Sequence, residues 1–287
     1  MSIASVLCLV DGGEGSEGSL AGALEVGRSM NAYVEVLHVE LDPENAVPLA
    51  ADGMTASMIE EIVDSVEQES KRRAKAAGAA YQKLVLDAGV KAVEPGTVSG
   101  GFAAAWRSER GREHDVVARR GALFDLIVLA RRGSAEEPAV TPTLETALME
   151  SGRPVLVTTP RPPESLGKRV AVAWRDSVPG VHALAYAIPF LKAAEAVTVI
   201  TVGDGETRAD PRDIVSYLAH HAVKAEAKSV SAGGREAGAA LLEAASEADA
   251  DLLVMGAYAH SRLRQLILGG VTSTVLRSRP LSSSSAT

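Results

Sequence analysis

The chain has 287 residues, with 29 Lys and Arg against 37 Asp and Glu, a formal charge of −8 at pH 7. A net acidic chain with 3% aromatic residues lacks the basic field and stacking rings that nucleic acid requires, and a single cysteine, Cys8, excludes a disulfide framework and a cysteine-based zinc site. No apolar run approaches the ~20 residues that span a bilayer, and the first residues place no basic stretch ahead of an apolar one, so the expected location is the cytoplasm with no membrane partner.

Residues 6–10 (VLCLV) read as a buried strand ending at the turn Asp11-Gly12-Gly13. Residues 19–30 carry helical spacing, and the alternating, β-branched 33–39 (YVEVLHV) is a second strand. After a loop at 43–52, residues 54–87 form a long helix: Ile59, Ile62, Val63 and Val66 share a face that Ala74, Ala77, Tyr81 and Leu84 continue. Its Lys71, Arg72, Arg73 and Lys75 follow Glu60, Glu61, Glu67 and Glu69, a solvated face with ion pairs. Residues 91–98 read as a weak strand and 113–122 as a short helix. A strand at 125–130 (DLIVLA), a helix at 143–150 with Thr141 as cap, and a strand at 154–159 (PVLVTT) complete the first half.

Residues 160–167 (PRPPESLG) are a linker, because three prolines in eight residues continue neither a helix nor a central strand. The order then begins again. Strands are expected at 169–174, 197–202, 224–230 and 251–255, and helices at 181–193, 210–221, 235–247 and 270–277, with Pro211 in a first helical turn. VEVLHV answers VTVITV, DLIVLA answers DLLVMG, and SGRPVLV answers RSRPLSS. Alternating strands and helices force a parallel sheet with right-handed crossovers, so the chain reads as two copies of one α/β domain, residues 1–159 and 168–287.

The stretch GAYAHSRLRQLILGGVTS, residues 256–273, carries the chemistry. Glycines let backbone N–H groups approach a phosphate, and the helix start adds partial positive charge beyond the carboxyl ends of the strands. Glycine-rich turns also serve only to reverse a chain, and spacing alone leaves that open. The stretch is neither a P-loop nor a dinucleotide fingerprint.

This stretch, the twofold repeat and the element order resemble a tandem universal stress protein over nearly the whole chain. Nucleotide-binding members carry Gly-x2-Gly-x9-Gly-(Ser/Thr), and Gly256, Ala259, Gly269 and Gly270 occupy those positions. The resemblance implies two Rossmann-like domains, each a parallel five-stranded sheet flanked by helices. It also implies a stress-response protein that holds ATP or AMP, with or without Mg2+, in the second domain as a regulatory ligand. Gly256, Ala259, Gly269, Gly270 and Val271 would line the phosphates with backbone amides, His260 would touch the ligand, and Thr272 and Ser273 would donate hydroxyls. Trp174, Arg175 and Val202 would lie near base or ribose.

Ala259 and Gly270 depart from the pattern, and Arg175 stands where the first half has Asp11, either to pair with phosphate or to face solvent. In the first half Ala130, Gly133, Thr143 and Leu144 fill the four positions, so that loop is expected to be degenerate despite Arg131 and Arg132. The serine run 282–285 weakens the fifth strand of the second domain and with it the family's edge pairing, as a homodimer or between the two domains. No catalytic group and no metal ligand set stands out. His220 and His221 are adjacent and point about 100° apart on a helix, and His38, His182 and Cys8 read as packing or surface groups. An interaction scaffold without nucleotide, or a slow nucleotide hydrolase, are the alternative functions.

Overall fold

In the computed structural model the apolar run SVLCL forms β1 (Ser5–Leu9), whose Val6, Leu7 and Cys8 have no exposure. Burial pushes the Cys8 thiol up to about 12, so it is an inert small hydrophobe. The structure describes residues 2–42, 55–131, 141–203, 210–257 and 270–277. The chain divides into two compact units, residues 2–163 and the residues from 164 on.

In the first unit β1 is followed by α1 (Ser16–Met30), β2 (Tyr33–Glu40), α2 (Ala56–Asp87), β3 (Ala103–Arg110), α3 (Glu113–Gly121), β4 (Leu126–Ala130), α4 (Pro142–Glu150) and β5 (Val155–Thr158). All strands are parallel, in the order β3-β2-β1-β4-β5. The second unit holds β6 (Arg169–Ala173), α5 (Val178–Ala193), β7 (Ala196–Val202), α6 (Pro211–His220), β8 (Glu226–Val230), α7 (Ala237–Glu247), β9 (Leu252–Met255) and α8 (Gly270–Arg277). Its parallel order is β8-β7-β6-β9, the first four places of the first sheet repeated. In each sheet the direction of travel reverses between the first and fourth strands of the unit, the switch point where open α/β sheets present a crevice.

Local chemistry sets the helix starts. Thr141 accepts from the Leu144 amide at 3.2 Å, as its position ahead of α4 predicts. Ser177 accepts from Gly180 at 3.2 Å, and Asp210, before Pro211, accepts from Arg212 at 2.8 Å.

One point of the sequence reading needs correction and another falls outside the described residues. The second sheet has four strands among the described residues, and the segment expected to supply a fifth lies outside them. The third strand of the first unit is Ala103–Arg110; residues 91–98 contribute only a single bridge, Ala92 to Ala104. The physical reason is size. Ala103, Ala104 and Ala105 fill their places with small side chains at 1% exposure or less, so AAAWRSER carries none of the β-branched signal of its neighbours. The loop at 43–52 also lies outside the described residues.

One device appears in both units. Asp125, ahead of β4, accepts from the amides of Ala4 and Ser5 at 2.9 and 3.0 Å and from the Ser5 hydroxyl at 3.1 Å. Asp251, ahead of β9, accepts from Gly167, Lys168 and Arg169 amides at 3.0, 3.1 and 3.0 Å. Each carboxylate thus ties the entry of the central strand to its neighbour at the amino end of the sheet. Asp251→Ala is expected to cost the second unit about 1–2 kcal/mol in urea unfolding, with Asp251→Asn recovering part of it. An Ala variant as stable as the parent would show that these bonds do no more than their water equivalents.

Candidate functional site

At the switch point of the second sheet the exits of β6, β7 and β9 stand beside α5 and α8, the place where open α/β sheets bind ligands. After β6, the Trp174 amide donates to the Ile200 carbonyl at 2.8 Å and extends the pairing one residue past the strand. Trp174 is half-buried and packs on the core between the sheet and helices α5 and α6, beside Val170, Val172, Val199 and Ile214. Its indole nitrogen is buried without a hydrogen-bond partner among the described residues. Arg175 and Asp176 are exposed before Ser177 caps α5.

β9 ends at Met255, and Gly256 follows at a close crossing. A Cβ on Gly256 would stand 2.6 Å from the Gly180 nitrogen and 2.7 Å from the Pro179 carbonyl carbon. The missing side chain therefore lets two backbones touch, the exit of β9 and the first turn of α5. Gly256 lies outside the positive-φ residues, so this is a question of room and not of backbone conformation.

α8 is described from Gly270 on, and the residues before it lie outside the described ones. Val271 and Val275 pack against Ala171, Ile200, Leu241 and Ala244, the same buried cluster that receives Val202 from the end of β7. α7 fixes α8 from outside. A Cβ on Gly238 would meet the Thr274 Cβ at 2.8 Å, and the Thr274 hydroxyl donates to Glu236 at 3.0 Å. Thr272 is 8% exposed.

The structure thus joins some of the predicted site residues and separates others. Val202 and Val271 share one face of the sheet, and Trp174 lies on the other. Gly256 abuts α5. Gly270, Val271, Thr272 and Ser273 form the first turn of α8. Ala259, His260 and Gly269 lie outside the described residues.

The first unit presents a different surface at the matching places. After β1, Asp11 accepts from the Gly13 amide at 2.9 Å and the Ser16 hydroxyl at 3.1 Å, while the Gly12 amide donates to Ser16 at 2.9 Å. Gly12 has φ +76°, and a Cβ there would collide with the Arg73 carbonyl of α2. At α4, Thr141 occupies the Leu144 amide, Leu144 is 2% exposed, and Thr143 donates to the Glu113 carboxylate at 2.6 Å. An anion arriving here would meet a carboxylate and an apolar side chain. Arg131 stands directly after β4, and Arg132 and Gly133 lie outside the described residues.

Sequence reasoning missed a buried ion-pair network on β2 and β3. Glu35 on β2 is 2% exposed and accepts from Arg107 Nε at 2.8 Å, from the Tyr33 hydroxyl at 3.0 Å and from Arg120. Arg120 also pairs with Glu109 at 3.0 Å. Burial opposes the Glu35 charge, but Arg107, Arg120 and Tyr33 outweigh it and hold the carboxyl below its usual range. Burial and the Glu35 carboxylate push the Tyr33 phenol up to about 12, so it remains a donor. The signal was a lone charge inside YVEVLHV.

His38 is buried, its Nδ1 2.9 Å from the Val10 carbonyl and its ring stacked toward Trp106, a packing role. Among the described residues no cluster of three or more His, Cys, Asp or Glu side chains would hold a metal, and no helix is long and apolar enough to cross a membrane.

Residues 167–282 match the Universal stress protein family. A universal stress protein of Synechocystis sp. is 25% identical over 95% of this chain and 96% of its own length. The crystal structure of a universal stress protein from Archaeoglobus fulgidus aligns with a TM-score of 0.64 at 21% identity, covering 96% of this chain and 93% of that one. A functionally unknown protein from Pseudomonas aeruginosa aligns at 0.54 and 17% identity, covering 96% and 89%.

Proposed function

We propose that the chain is a universal stress protein whose second unit binds an adenine nucleotide, ATP or AMP, as the regulatory ligand of a cytoplasmic stress-response protein, a reading supported by the family match over residues 167–282 and by the likeness to a universal stress protein over most of the chain. The observation that carries this reading is the helix α8, described from Gly270 on. It agrees with the helix that the spacing Gly256, Ala259, Gly269, Gly270 calls for, in the half of the chain that the family match covers. The residues present fit a phosphate at that turn. Gly270 has no side chain and Val271 is drawn into the core, so neither side chain would stand between a phosphate and the backbone there. The buried, unpartnered indole N–H of Trp174 is a donor at the exit of β6, on the opposite sheet face from Val202, so base and ribose would use one of these residues and not both.

In the first unit, Glu113, Leu144 and the α2 backbone against Gly12 support a role without nucleotide. Binding in the second unit would act by stabilising its loop and shifting its packing, not by chemistry.

The scaffold reading draws on Ala259, Gly270 and the use of Gly256 in packing against α5. Thermal unfolding of nucleotide-free protein separates the two. ATP with Mg2+ at 100 times its Kd is expected to stabilise the binding unit by about 2.7 kcal/mol, a shift of several degrees. An unchanged midpoint with ATP and with AMP, with and without Mg2+, would leave the scaffold.

A further inference from the structure

The two units place opposite charges at one and the same point of the fold. The Val10 amide donates to the Leu37 carbonyl at 3.0 Å, and the Trp174 amide donates to the Ile200 carbonyl at 2.8 Å. Leu9 stands beside Leu37 and Ala173 beside Ile200, so the two registers coincide. The next residue out of the central strand is Asp11 in the first unit and Arg175 in the second. Each lies at the switch point of its sheet, where an open α/β sheet meets its ligand.

The two side chains do different work. Asp11 holds its turn together, accepting from the Gly13 amide at 2.9 Å and the Ser16 hydroxyl at 3.1 Å. In the second unit Ser177 has that task. Its hydroxyl accepts from the Gly180 amide at 3.2 Å and donates to the Arg175 carbonyl at 3.4 Å. The turn thus uses the backbone of Arg175, and the guanidinium, on an exposed residue, is not part of the cap. That backbone is fixed against the candidate site. A Cβ on Gly180 would stand 2.5 Å from the Arg175 carbonyl oxygen, and one on Gly256 would stand 2.6 Å from the Gly180 nitrogen. Arg175, Gly180 and Gly256 therefore touch in succession, and Gly256 opens the glycine pattern that runs to α8.

The charge sorts the ligands. A carboxylate at this point opposes a phosphate, whereas a guanidinium attracts it and offers parallel N–H donors to two of its oxygens. Base and ribose carry no charge, so the exchange of sign acts on the phosphates. We propose that Arg175 pairs with the nucleotide's phosphates and makes the second unit select its ligand by phosphate charge, with ATP ahead of AMP and AMP ahead of adenosine. This rests on the nucleotide reading and names which of its ligands the site prefers.

The test is competition binding of ATP, AMP and adenosine to the nucleotide-free full chain at low ionic strength, in the parent, Arg175→Ala and Arg175→Lys. The parent is expected to bind ATP about tenfold or more tightly than adenosine. Arg175→Ala is expected to weaken ATP about tenfold and to leave adenosine as it was, and added salt should narrow the ATP gap between the two proteins. Arg175→Lys keeps the charge without the fork and should fall between them. The ratio of the two affinities is the readout, because a partly unfolded variant lowers both alike. Equal weakening of ATP and adenosine in Arg175→Ala, or an unchanged ATP affinity, would overturn the proposal and leave the nucleotide reading standing. A parent that binds none of the three, with or without Mg2+, would overturn both.

Discussion

Glu35→Ala is expected to lower the unfolding free energy of the first unit by about 3–5 kcal/mol, the cost of leaving buried charge without its partner. Arg120 is 16% exposed and Arg107 28%, and both point at a carboxylate that is 2% exposed. Removing that carboxylate leaves Arg120 with Glu109 and takes from Arg107 its one ion pair among the described residues. Glu35→Gln keeps the shape and a hydrogen bond but not the charge, and is expected to fall between the parent and the Ala variant. The effect has a defined pH dependence. The folded Glu35 carboxyl is held below its usual value, so its contribution is fully present above the unfolded value, about 4.3, and is lost as pH falls through the lower folded value. Urea unfolding at neutral and acid pH should show the gap between parent and variant closing in that window. A gap that stays constant into strong acid, or one below about 1 kcal/mol at neutral pH, would show that water screens the network from the start.

Gly256→Val is expected to cost the second unit about 2–3 kcal/mol and to remove nucleotide binding, while the first unit unfolds as before. The Cβ would meet backbone atoms, the Gly180 nitrogen at 2.6 Å and Cα at 2.9 Å, which no rotamer change relieves. α5 must move, and its Ser177 cap belongs to the same turn. Gly180 is itself pressed on the exit of β6, since a Cβ there would lie 2.5 Å from the Arg175 carbonyl. The exits of β6 and β9 and the start of α5 thus form one contact that a side chain at Gly256 opens. Gly78→Ala on α2 provides the contrast. Nothing lies within 4 Å of a Cβ there, and the substitution is expected to stabilise by about 0.5–1 kcal/mol through helix propensity. Calorimetric scans resolving the two units would decide both. A Gly256→Val protein with an unchanged second transition would mean that α5 yields freely at this crossing.

The sequence made the strands legible where burial was achieved with β-branched residues, as in VLCLV, VTVITV and DLLVM. It hid β3 because alanines fill that edge and because Arg107 and Glu109, charged in a strand, are satisfied by Glu35, Arg119 and Arg120. A single chain shows no pairing across 72 residues, so those charges looked like surface. At the candidate site, the spacing of Gly256 and Gly270 was readable, and so was a helix over 270–277. What Gly256 touches was not, because its partner Gly180 comes from another element. The separation of Trp174 from Val202 follows from the alternation of side chains along a strand once β6 and β7 are in register, Ala173 beside Ile200, and that register is a property of the fold.

One unit is proposed to bind nucleotide and the other not. Calorimetric titration of ATP with Mg2+ into nucleotide-free chain, beside Gly269→Leu at the third glycine place of the sequence pattern, tests it most directly. The account predicts one saturable site per chain, lost in Gly269→Leu. Two sites would mean that Glu113 and Leu144 do not close the first unit, and the absence of saturable heat in the parent would contradict the nucleotide reading itself.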